Sequence, residues 1–187
     1  LMAGWEFLIH ALPEAGSREP LARLVHVETK TATEPDPVRR LSVLLKMDAV
    51  GAMAFAGRLR LSNAETQHLR TLVNPPVRPS ADRTDAQNRA VLYWLGEDIF
   101  ADLVLMGWAA VAPADDTIWQ ELTGLPDRSR IPAFPVGGKD VLALGVPAGK
   151  IVGELLAEIE RWWMDNDFQP DRTACLERLK TAASSSR

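Results

Sequence analysis

The residues that could do chemistry are few. His10, His26 and His68 are the only histidines, and none stands three or four positions from another or from Cys175, the lone cysteine. The helical zinc pattern His-Glu-x-x-His is missing, and no His precedes an Asp. Helix-surface or half-buried histidines are expected. No Gly-x-Ser-x-Gly occurs, and Cys175 is expected as a small packing residue rather than a nucleophile. Gly145-Val146-Pro147-Ala148-Gly149-Lys150-Ile151 imitates a mononucleotide loop. It is one residue short between the glycines, and Ile stands where a metal-binding Ser or Thr belongs. Asp165-Asn166-Asp167 has the alternation of a two-metal carboxylate pair, but it ends a helical pattern, where alternate residues do not share a face.

Weaker chemistry remains. The turn from Gly145 to Gly149 opens a helix whose first amides lack intrahelical partners and favour an anion. Lys150 lies in that first turn and Lys139 flanks the preceding short helix. Two readings compete, close approach of a phosphate backbone or a tight connection whose glycines take positive φ, and the second is favoured. From Arg58 to Arg89 the chain carries six Arg and three acids, net +3, leaving 15 basic and 22 acidic residues elsewhere. Such a stripe can track phosphates. It can also be a solvated face, and the pI near 5.4 argues against strong non-specific nucleic-acid binding.

The elements that must position these groups are helical. Apolar residues recur at three- and four-residue spacing, and no long run alternates. Pro20 starts one helix, with Leu21, Leu24, Val25 and Glu28 along a face. Asp36-Pro37 starts the next, with Leu41, Leu44 and Leu45 inward. Asp48 caps a helix through Met53, Phe55 and Ala56, and Ser62-Asn63-Ala64-Glu65 is a capping box leading to Leu69, Leu72 and Val73. Asn74-Pro75-Pro76 ends that helix. Asp82 or Asp85 opens another, closed by Gly96. The most apolar helix runs from Glu97 to Ala112 with Ile99, Leu103, Met106 and Ala110 inward, and Asp115 or Asp116 caps a short one. After Gly124 the composition shifts: residues 125–149 hold four of the 13 prolines and four glycines. A short helix over 139–144, a long one over about 147–166 and a fraying last one from Asp171 complete an all-α, multi-helix array of about nine to ten short antiparallel helices without a sheet. Two regions are expected, 1–124 and 125–187.

The 187 residues are 47% apolar and 25% charged, the proportions of a folded soluble chain. One cysteine excludes a disulfide framework. The longest uncharged stretch in the apolar middle, 103–114, is far short of the roughly twenty residues of a spanning helix. Six tryptophans fall mostly within apolar stripes, so core packing is their default. Trp162 and Trp163 are adjacent and cannot both point inward, which leaves one for an exposed or homodimer contact. The opening Leu1-Met2-Ala3-Gly4-Trp5-Glu6-Phe7-Leu8-Ile9 reads as the middle of a helix, as expected of a piece of a longer protein.

Three segments together resemble one family. Leu8-Ile9-His10-Ala11-Leu12-Pro13-Glu14 looks like a helix ending in a Leu-Pro-Glu turn, and Arg58-Leu59-Arg60-Leu61-Ser62-Asn63-Ala64-Glu65 like a body motif of alphaproteobacterial members. Phe134-Pro135-Val136-Gly137-Gly138-Lys139-Asp140-Val141-Leu142, continued by 145–153, looks like a tail signature, and Arg89 to Gly96 is similar too. The family is that of the bacterial class II tRNA nucleotidyltransferases, the CCA-adding enzymes and related poly(A) polymerases. There, an α/β head carries a Gly-Ser motif and two metal-binding Asp, a neck carries a Glu-Asp-x-x-Arg template for CTP and ATP, and helical body and tail hold tRNA. Glu97-Asp98-Ile99-Phe100-Ala101 lacks the template Arg, and no head motif is present.

The resemblance therefore implies the end of the neck, the body and the tail of a nucleotidyltransferase. Magnesium, CTP and ATP would belong to the parent enzyme, with no cofactor or catalytic residue in this chain. Its partner would be the tRNA acceptor arm, recognised by shape, with Arg58, Arg60, Arg89, Lys139 and Lys150 as phosphate contacts, in the cytoplasm and away from membranes. A poly(A) polymerase relative and an all-helical interaction or dimerisation module are the alternatives.

Overall fold

The computed structural model describes residues 12, 14–45, 47–111 and 116–185. The expected helix at the start, His10 and the Asp115 cap lie outside them. Eleven helices are described, one or two more than the sequence suggests. In chain order they are α1 (Glu19–Lys30), α2 (Pro37–Leu44), α3 (Ala49–Leu59), α4 (Asn63–Val73), α5 (Asp85–Leu95), α6 (Glu97–Ala110), α7 (Asp116–Thr123), α8 (Leu125–Arg128), α9 (Gly138–Ala143), α10 (Lys150–Asp165) and α11 (Arg172–Ser185). The sole β feature among the described residues is an isolated antiparallel bridge, Ala15 with Leu45. The fold is an all-α array.

The helices start where local chemistry tells them to. Asp36 accepts the Arg39 amide at 2.6 Å and Asp48 the Gly51 amide at 2.8 Å. Ser62 and Glu65 complete both halves of their box. At α5 the cap is neither Asp82 nor Asp85. Thr84 accepts the Gln87 amide and Gln87 returns a bond to the Thr84 amide. The reciprocal pair satisfies two orphan donors, which a lone Asp does not.

Three apolar clusters fill the interior. One joins Leu24, Phe100, Val104, Trp108, Trp119 and Leu125. A second joins Val38, Phe55, Leu69, Leu72 and Leu103. The third gathers the chain after residue 135 around Val141, Leu155, Ile159, Trp163, Cys175 and Leu179. α6 feeds the first two and is covered on nearly every side: Phe100, Asp102, Leu103, Val104, Leu105, Trp108 and Ala109 are buried. The inward face expected there is therefore too narrow. Ile99 and Met106 are only partly covered and Ala110 is exposed. Val25 and Met53 also turn outward, with Val27 buried in α1 instead.

The tryptophans divide. Trp108, Trp119 and Trp163 are buried, and Cys175 is fully buried, with its thiol pushed up in pKa by burial and then by Asp171. Trp163 therefore offers no surface for a homodimer. Half-buried Trp162 has the Arg178 guanidinium stacked 5.2 Å from its ring centroid. Trp94 is the exception to core packing, 60% exposed on α5.

Candidate nucleic-acid interface

The basic stretch falls on the end of α3, on α4, on the proline turn over 74–84 and on α5. Asn88 fastens that turn. Almost fully buried in α5, it donates its side-chain amide to the Ser80 carbonyl and accepts the Ser80 amide. Pro75 and Pro76 end α4, so the chain leaves the helix and returns over α5.

Between the turn, α5 and the end of α10 lies an open cavity of about 670 Å³. Its wall includes Val77, Arg83, Gln87, Trp94, Met164 and Asp165. Arg83 and Asp165 have no side-chain partner among the described residues. Gln87 uses its oxygen on the cap, which leaves its side-chain N–H groups as donors.

The five cations expected to meet phosphate are not equivalent. Arg58 gives one nitrogen to both Glu14 oxygens, at 2.7 and 2.6 Å, and covers the Phe55 ring. Arg89 forks onto Asp167 at 2.8 and 2.7 Å, a bond that, against burial, raises its pKa. Lys150 is 91% exposed and pairs with Glu154 one turn on. Arg60 takes a left-handed backbone (φ 55°) as the cap of α3, and Lys139 is exposed on α9; neither has a carboxylate partner among the described residues. Arg70, Arg78 and Arg83 likewise lack one. Together with Arg60, these three arginines, which the sequence shows only as part of a stripe, are the more available cations of the segment. An arginine already forked onto a carboxylate must lose that charge-assisted bond before it can meet a phosphate.

The glycine turn has the geometry of the connection reading. Gly145 (φ 79°) and Gly149 (φ 151°) both need conformations that side chains rarely adopt. α9 is anchored to α11 through Asp140, whose carboxyl is held low by Arg172 and by the Gly137 amide.

A second polar cluster escaped the sequence reading. Arg39 donates to Glu28 at 2.9 and 2.7 Å and to Asp102 at 2.6 Å, all three side chains being almost wholly buried. Arg40 reaches the other Glu28 oxygen, and half-buried His68 meets Asp102 at 2.7 Å. Burial opposes the Arg39 charge, but the bonds to Asp102 and Glu28 outweigh it and raise its pKa. The Asp102 bond raises His68 too, against burial. Asp36, His68 and Asp102 each offer a ligand atom within 4.8 Å of the others. Those atoms already have protein partners: Asp102 is shared by Arg39 and His68, and Asp36 caps α2.

No family model matches the chain. A curated relative does match in part: CCA tRNA nucleotidyltransferase 1, mitochondrial, of Homo sapiens is 34% identical over 50 residues. The matched stretch is 27% of this chain and 12% of that protein. It supports a relation to the tRNA nucleotidyltransferases. Among the described residues no helix is long and apolar enough to cross a membrane.

Proposed function

We propose that the chain is the C-terminal RNA-binding part of a nucleotidyltransferase that adds CMP and AMP to tRNA 3′ ends. The partial match to the human CCA enzyme carries this reading. Residues 1–124 would be the end of the neck and the body, and 125–187 the tail. The chain positions tRNA in the cytoplasm: phosphate contacts hold the acceptor arm by shape and so place a distant 3′ hydroxyl. Arg60, Arg70, Arg78 and Arg83, which lack carboxylate partners, make the first contacts. Lys139 and Lys150 add to them from the tail side, and Arg58 and Arg89 contribute once released from Glu14 and Asp167.

Of the carboxylates that come nearest to a metal pattern, Asp167 and Asp102 already have protein partners. Asp167 is forked by Arg89, and Asp102 is bonded to both Arg39 and His68. The resemblance to the family assigns metal, CTP and ATP to the parent's head and neck.

Fluorescence anisotropy of labelled tRNA over a salt series tests the reading, with duplex DNA as control. The expected result is saturable binding that prefers tRNA and weakens as salt rises. Reversing Arg70 and Arg78 to Glu together should weaken it at least tenfold and flatten the salt dependence. Absence of binding at low salt would overturn the positioning role.

A further inference from the structure

The cavity beside Trp94 joins three chemistries that phosphate contacts alone do not need. An indole that is 60% exposed stands at its wall, in a molecule whose other described tryptophans are buried or half-buried. Gln87 and Arg83 bring hydrogen-bond donors, and Asp165 brings an acceptor. The volume, about 670 Å³, falls within the roughly 300–1,000 Å³ of small-molecule sites. The walls are built, not incidental: Asn88 bolts the turn to α5, and the Thr84–Gln87 box fixes the helix start.

We propose that this cavity binds one unpaired nucleobase of RNA, stacked on Trp94 and read at its edge by Gln87 and Asp165, with Arg83 on the adjoining phosphate. This rests on the RNA-binding reading above and names a contact within it. Stacking on an aromatic face accepts any base. The carboxylate adds a preference, because it accepts from an exocyclic amino group and repels a carbonyl. Cytosine carries an amino group where uracil carries a carbonyl, so CMP is favoured over UMP. An unpaired base suits the site because a base inside an A-form stem offers no free face.

The indole N–H resonances of the full chain provide the test, Trp94 being assigned by its loss in Trp94→Phe. CMP should shift the Trp94 resonance, UMP should shift it less, and inorganic phosphate should leave it in place. Asp165→Asn should remove the difference between CMP and UMP. Trp94→Ala should weaken tRNA binding about tenfold while Trp94→Phe retains most of it. The exposure of Trp94 lets both variants keep the fold, which circular dichroism checks. If the chain binds tRNA but CMP leaves Trp94 unmoved, or Trp94→Ala binds tRNA as the unsubstituted chain does, the base site is overturned and the positioning role stands. If CMP shifts Trp94 but tRNA does not bind, the positioning role falls and the cavity stands as a nucleotide site.

Discussion

Two interiors hold this molecule by different means. Where α1, α2, α4 and α6 meet, Glu28, Arg39 and Asp102 are buried as ions, with Arg40 and His68 at the margin. Around α10, rings do the holding. Trp163 stands edge-on to Phe168 at 4.9 Å and to Tyr93 at 5.8 Å, with Phe134 tilted at 5.4 Å. The ionic interior depends on pairing, because each buried charge is costly without its partner. The aromatic interior depends on volume and shape. Even its polar tips are satisfied: the Trp163 indole donates to the Pro170 carbonyl, and the Tyr93 hydroxyl donates to Glu160. Evidence of the fit is the turn after α10, where Asp167 and Phe168 both take left-handed backbones (φ 53° and 61°). Each costs about 1–2 kcal/mol; burial of Phe168 and the Arg89 fork on Asp167 offset it.

The contrast is sharpest under single substitutions. Arg39→Met should cost about 3–5 kcal/mol in urea unfolding, because it leaves two buried carboxylates with only the marginal Arg40 and His68. Adding Glu28→Leu and Asp102→Leu should restore most of that stability. Trp163→Ala should cost a similar amount, about 3–5 kcal/mol, but no change of charge elsewhere should rescue it. If the triple variant stays as unstable as Arg39→Met, the ionic interior is not limited by pairing.

Titration separates the two interiors more finely. His68 has a raised pKa in the fold, so its contribution is complete below its ordinary value of 6.5 and is lost as pH rises through the folded value. The stability of the native chain should therefore decline on the alkaline side of 6.5 relative to His68→Gln. Tyr93 is the only tyrosine, and burial followed by the Glu160 bond pushes its pKa to about 12. Its contribution is complete below 10 and lost through about 12. Phenolate absorbance, which reports this residue alone, should stay flat through pH 10 and appear near 12 or with unfolding; a midpoint at 10 would place the hydroxyl in water. The smallest change is expected at Trp119, whose buried indole N–H finds no acceptor among the described residues. Trp119→Phe removes that donor and should alter stability by less than about 1.5 kcal/mol.

The helices were readable because three- and four-residue spacing and capping chemistry are local. Asp36, Asp48 and Ser62 announce helices that begin beside them. The α5 cap was also written locally, in Thr84-x-x-Gln87, but two nearby Asp obscured it. The ionic interior was not readable. Arg39 and Asp102 are 63 residues apart, and each looks alone like a solvated charge on a helix. The base-stacking cavity was half readable: the arginines stood out as a stripe. Trp94, however, shares α5 with buried Val91 and Leu92, and only the packed helices show that it turns outward.

Gly107, on α6, lies beneath the Trp119 ring, where an added Cβ would stand 2.4 Å from an indole carbon. Position 107 cannot grow while the indole stands over it. A lineage that enlarges position 107 must first shrink position 119, and one that loses the indole is released to fill the glycine. Across descendants of this fold the two positions should covary as one volume, a historical record of how closely α6 and α7 are pressed together.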